Sequence, residues 1–141
     1  MARQALTRAT EISQEANTSY YYLGIVQLVG GDPQGALTTF RKSDEGFQSL
    51  GAALAEHTLG HAAESQQALN EVIASHGISA AYQIAEVYAW RAEKDKAFSW
   101  LERAYTQEDS GLRYVKYDPL LRSLRDDPRY KALLRKMDLP E

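Results

Sequence analysis

Apolar residues recur along this chain at intervals of three and four, and no stretch alternates with period two for long enough to make a strand. The spacing predicts an all-α chain. Four prolines, at 33, 119, 128 and 140, leave the helical stretches between them unbroken. Three of them follow an aspartate, as Asp32-Pro33, Asp118-Pro119 and Asp127-Pro128, the pairing of an N-cap with a first helical residue.

The helical pattern itself repeats. In "SYYYLGIVQLVGGDPQGALTTFRKS", Tyr20 is followed by Leu23-Gly24, a turn glycine at 31, then Ala36, Phe40 and Ser43. Small residues at 24, 36 and 43 let two antiparallel helices approach closely. Leu23 and Phe40 are expected to fill the space between them, and Gly31 to end the first helix. In "AYQIAEVYAWRAEKDKAFSWLERAY", residues 81–105, Ala81, Ile84-Ala85, Tyr88, Ala92, Ala97, Leu101 and Ala104 fall in the same frame. Ala92 takes the turn position there, and Asp109 stands where such a repeat usually ends in proline. A weaker copy lies between them, with Ala52-Ala53, Gly60, Ser65, Leu69 and Val72, and Glu56 in place of the tyrosine. The key small residues Ala2, Ala36, Ser65 and Ala97 are separated by 34, 29 and 32 residues. Leu6 and Ala9 follow Ala2 as Phe40 and Ser43 follow Ala36, so the chain is expected to begin in the second helix of a pair and to be a fragment of a longer protein.

These motifs resemble the tetratricopeptide repeat over essentially the whole chain. The resemblance implies a right-handed α-solenoid of antiparallel helix pairs, read as one repeat domain over 1–141. Within it, 1–16 is the second helix of a truncated repeat, 17–45, 46–77 and 78–111 are repeats, and 112–141 are capping helices. In the cap, Leu120, Leu121 and Leu124 supply one apolar face, and Tyr130, Leu133, Leu134 and Met137 another. The closing part, with "YDPLLRSLRDDPRYKALLRKMDLP", resembles the C-terminal repeat arrays of bacterial signalling proteins, which follow winged-helix, cyclase or kinase domains. That resemblance implies a sensing, docking or oligomerisation module whose catalysis or DNA reading lies upstream.

Composition narrows the chemistry. With no cysteine there is no disulfide, thiol nucleophile or thiolate metal site. The polar N-terminus lacks the apolar core of a signal peptide, and no apolar run of membrane-spanning length occurs. A cytoplasmic protein is expected. Net charge is −3 but uneven: no Lys or Arg lies between Lys42 and Arg91, whereas residues 113–136 hold eight of the sixteen basic groups.

In an array of this kind the first helix of each pair lines the concave face. The inward positions are Thr18, Tyr21, Ile25 and Leu28, then Phe47, Leu50, Leu54 and His57, then Ser79, Tyr82, Glu86 and Trp90. Tyr21, Ile25, Leu50, Leu54, Tyr82, Glu86 and Trp90 form the expected partner groove: apolar, aromatic and with one acid to steer a basic amphipathic protein or peptide. A carboxylate clamp would need Lys, Asn and Arg at these places, and they are absent. His57 and His61 have metal-ligand spacing, but Gly60 separates their helices and no third ligand is near, so no metal is expected. "GGDPQG" has the glycines of a phosphate loop without the Lys-Ser/Thr that must follow, and is read as a turn. "NTS" at 17–19 is read as an idle glycosylation acceptor. The basic end lacks the glycine or aromatic interleaving of a nucleic-acid surface and is read as the solvent face of the cap helices. No catalytic constellation or cofactor motif is present, so an interaction module and not an enzyme is expected. Self-association within a bacterial regulator or cyclase is the alternative.

Overall fold

The computed structural model describes residues 16 and 18–139, and among these every regular element is helical. Helix α1 covers 18–29, followed by α2 (Pro33–Phe40), α3 (Glu45–Thr58), α4 (Ala62–His76), α5 (Ala81–Trp90) and α6 (Lys94–Thr106). Two 3-10 segments, Ser110–Tyr114 and Pro119–Leu124, lead into α7 (Pro128–Lys136). The expected truncated repeat with Ala2, Leu6 and Ala9, and Asn17 of the acceptor sequence, lie outside the described residues. None of the described helices is long and apolar enough to cross a membrane.

One local device ends five helices. After α1, α3, α5, α6 and α7 the chain passes through a left-handed residue: Gly31 (φ 94°), Gly60 (φ 86°), Ala92 (φ 60°), Glu108 (φ 56°) and Asp138 (φ 61°). The next amide in each case donates back to the last turn, as in Asp32 N to Gln27 O, His61 N to Glu56 O and Glu93 N to Tyr88 O, each 2.8–2.9 Å. This bond pattern satisfies carbonyls a helix end would otherwise leave open, and it reverses the chain within three residues. After the first four of these, the following residue opens the next element. Asp32, Asp44, Asp118 and Asp127 all accept a main-chain amide of the turn they start.

The chain divides between Gln66 and Gln67, inside α4, into two compact units. In the first, Phe40 is fully buried at the end of α2. A Cβ at Gly24 of α1 or Gly51 of α3 would overlap its ring, so two glycines make the slot that one phenylalanine fills. Tyr21 packs on the same ring, with centroids 5.8 Å apart, and on Phe47 at 4.8 Å. Ser65 donates to the Ala53 carbonyl at 2.6 Å, a buried bond that pins the start of α4 to the middle of α3. The expected partner of Phe40, Leu23, is instead half exposed. The missing side chain at Gly24, not Leu23, gives the aromatic ring its place.

In the second unit α5 and α6 form a helical hairpin. Ala81, Ile84, Ala85, Val87 and Ala89 on one side and Ala97, Leu101 and Ala104 on the other are fully buried. The two 3-10 segments lie against α5. They bring Leu120, Leu121 and Leu124 into the interior, and α7 adds Tyr130, Leu133 and Leu134. Two ion pairs tie α7 to α6: Arg129 to Asp95 at 2.9 Å and Lys136 to Glu102 at 2.6 Å. Arg129 also holds Asp127, whose carboxyl falls to about 2 chiefly through the hydrogen bonds it accepts from Arg129.

Candidate functional site

The residues expected to line a groove sit mostly inside the two units. In the first unit Tyr21, Ile25, Leu50 and Leu54 are buried, Leu54 completely. Tyr21 is enclosed by Phe40 and Phe47. In the second unit Tyr82 and Glu86 are buried, and Trp90 alone of the seven is partly exposed. A partner could reach the first six only by displacing the side chains that cover them.

Tyr82 shows why. It is held from three sides by the segment after α6. Its hydroxyl donates to Asp118 Oδ2 at 2.6 Å, its amide donates to Asp109 Oδ2 at 3.2 Å, and a Cβ at Gly111 would come within 2.7 Å of its ring. Helix α5 has no N-capping side chain of its own. Asp109, 27 residues downstream, supplies the cap while also accepting from Gly111 N at 2.8 Å, so one carboxylate starts both α5 and the first 3-10 segment.

Glu86, one helical turn beyond Tyr82, does not face solvent or a basic group. It is buried beside Asp118. Burial first, then the Asp118 carboxyl and the nearby Asp109 charge, hold the Glu86 carboxyl well above its ordinary range. Asp118 also accepts from Leu120 N at 2.9 Å as the N-cap of the second 3-10 segment.

His57 lies in the last turn of α3 and His61 beyond the left-handed Gly60. His61 pairs with Glu56 across the Gly60 turn, with 2.5 Å between Nδ1 and Oε2. Among the described residues no three potential ligands gather around a metal-sized space.

Large apolar side chains do reach the surface elsewhere. On α1, Tyr22 and Leu23 are each 50 % exposed and Val26 is 68 % exposed. At positions i, i+1 and i+4 they share about 100° of the helix surface. Counted from the key small residues, the positions matching Leu23 and Val26 are Ala52 and Ala55 in the second repeat and Ile84 and Val87 in the third. Ala55, Ile84 and Val87 are fully buried. The signal was present in the sequence, because no charged residue occurs from Ala16 to Gly31. A solvated helix face of that length normally carries charge. A depression in the second unit is lined by Ile73, His76, Ile78, Trp100 and Arg103, with Arg103 stacked on Trp100 at 4.2 Å.

No protein-family model, no curated protein and no solved structure matches this chain.

Proposed function

We propose that the chain is a protein–protein interaction module, built as a right-handed α-solenoid of tetratricopeptide type, with α1 presenting its docking surface. The solenoid reading is supported by recurrence. Gly24 and Ala36, Ala53 and Ser65, and Ala85 and Ala97 are all buried pairs twelve residues apart. Each pair brackets the same left-handed turn. The observation that carries the docking reading is the face of Tyr22, Leu23 and Val26, exposed where the counterparts of Leu23 and Val26 in the later helices include the fully buried Ala55, Ile84 and Val87. An apolar patch rimmed by polar residues marks a place where a partner removes surface from water.

The chemistry of this face selects the partner. It offers no charge, so a partner gains by burying an uncharged apolar helix against it and loses by burying a Lys or Asp there. That differs from the basic amphipathic ligand expected from an acidic groove, because Glu86 lies in the interior.

Self-association is the second reading, and the same face favours it. A patch without charge is compatible with its own two-fold copy, since no like charges are brought together. This fits the resemblance to repeat arrays of bacterial regulators, in which such a module would dock or oligomerise upstream domains.

A displayed library of helical peptides, selected against the chain and re-tested on Leu23→Asp/Val26→Asp, tests both readings. Selected peptides with uncharged apolar faces that lose at least about tenfold in affinity for the variant support docking on α1. A mass that rises with concentration in the parent and not in the variant supports the homotypic form. Selected peptides indifferent to the variant, with a concentration-independent mass, would remove α1 as the docking surface.

A further inference from the structure

Trp100 and Arg103 stand one turn apart on α6, and the repeat pattern accounts for neither. Counted from the key small residues, Trp100 matches Thr39 and Ala68, which are small and buried, and Arg103 matches Lys42 and Glu71. The helical framework therefore packs without a large ring or a fixed sign of charge at these places. In the second unit the Trp100 ring is half-buried, and the Arg103 guanidinium lies over it, 4.2 Å from its centroid. The end of α4 and the loop after it contribute Ile73, His76, Ile78 and Ser79 to the same depression. Its volume is about 420 Å³, the size of a small-ligand site.

Two properties of this depression select a ligand. The first is open apolar surface: Ile78 is 82 % exposed, and Ile73 and Trp100 are half-buried. An apolar body laid there removes that surface from water. The second is charge of one sign, because Arg103 is present and no acidic residue lines the space. Among the described residues no carboxylate pairs with Arg103. The neighbouring acids of α6 are engaged elsewhere, Glu102 with Lys136 at 2.6 Å and Asp95 with Arg129 at 2.9 Å. Stacking on the indole uses the face of the guanidinium and leaves its edge, with the N–H donors, for a planar anion.

We propose that this depression is a binding site for a small apolar carboxylate. Its ring or branched chain lies against Trp100, Ile73 and Ile78, and its carboxylate pairs with Arg103. A neutral analogue keeps the apolar contact and loses the ion pair. Nothing in the proposal depends on the docking role of α1.

Titration of 2-naphthoate into the full chain, followed by the NMR signals of the Trp100 indole and the Ile73 and Ile78 methyls, tests it. Saturable shifts at all three are expected, with affinity at least about tenfold weaker for Arg103→Gln and for neutral 2-naphthamide. Arg103 is exposed, so the variant should keep the parent's spectrum away from the depression. The amide comparison uses the parent protein and gives an answer even if the variant fails to fold. Equal affinity for naphthoate and naphthamide overturns the proposal, as does the absence of saturable shifts up to about 10 mM. Saturation by a capped acidic peptide but not by naphthoate would assign the depression to a protein partner. Shifts that follow protein concentration alone would assign it to a second copy. Either result overturns the small-carboxylate site.

Discussion

Phe40 occupies a slot made by what two other residues lack. Gly24 and Gly51 have no side chain where its ring lies, so glycine is needed at both places for close approach and not for backbone freedom. Gly51→Ala is expected to cost about 1–3 kcal/mol through overpacking. Phe40→Leu should recover part of that loss in the double variant, a coupling that urea denaturation of the four proteins would measure. Additive effects would show that the ring and the two glycines do not form one packing unit. Ala92 presents the opposite case. It holds a left-handed conformation that Gly31 and Gly60 hold at the equivalent turns, and it carries the steric cost of a Cβ there. Ala92→Gly should raise stability by about 1 kcal/mol, read as a higher urea midpoint with unchanged slope.

At the scale of elements, the helices and their turns were legible in the sequence, and the burial of the expected site was not. Small residues at fixed spacing, with glycine and Asp-Pro punctuation, specify local geometry, and local geometry is what a periodic pattern encodes. The cover over Tyr82 and Glu86 comes from a segment that returns from beyond α6. No local pattern places Asp118 against an acid 32 positions earlier, and an isolated Glu in a helical register reads as a surface residue. The exposed face of α1 departs from the repeat spacing for a different reason. The repeat spacing puts Leu23 in the space that Phe40 fills, whereas the charge-free run around it points outward. The strongest element-scale consequence concerns Asp109, which caps α5 from outside that helix. Asp109→Ala should lower stability by about 1–3 kcal/mol, since it removes the acceptor for two amides at once. Asp109→Asn should restore most of it, because one amide oxygen still accepts. Thermal unfolding followed by circular dichroism distinguishes them, and equal loss in both variants would show that the capping geometry is not the source.

Across the whole molecule, the described residues combine a densely packed helical framework with sparse surface chemistry. Buried alanines, glycines and leucines keep the helices close, and the polar bonds with the largest consequences are spent on joining segments, as at Ser65, Asp109 and Asp118. Such an arrangement suits a rigid display of surfaces, and the face of α1 is the one where large apolar groups are displayed without charge. The most direct measurement of the docking role compares binding of library-selected helical peptides to the parent chain and to Leu23→Asp/Val26→Asp, with helicity and thermal stability measured in parallel. A loss of at least about tenfold in affinity, with helicity and unfolding temperature retained, is the expected result. Undiminished binding by a variant that is equally well folded would contradict it.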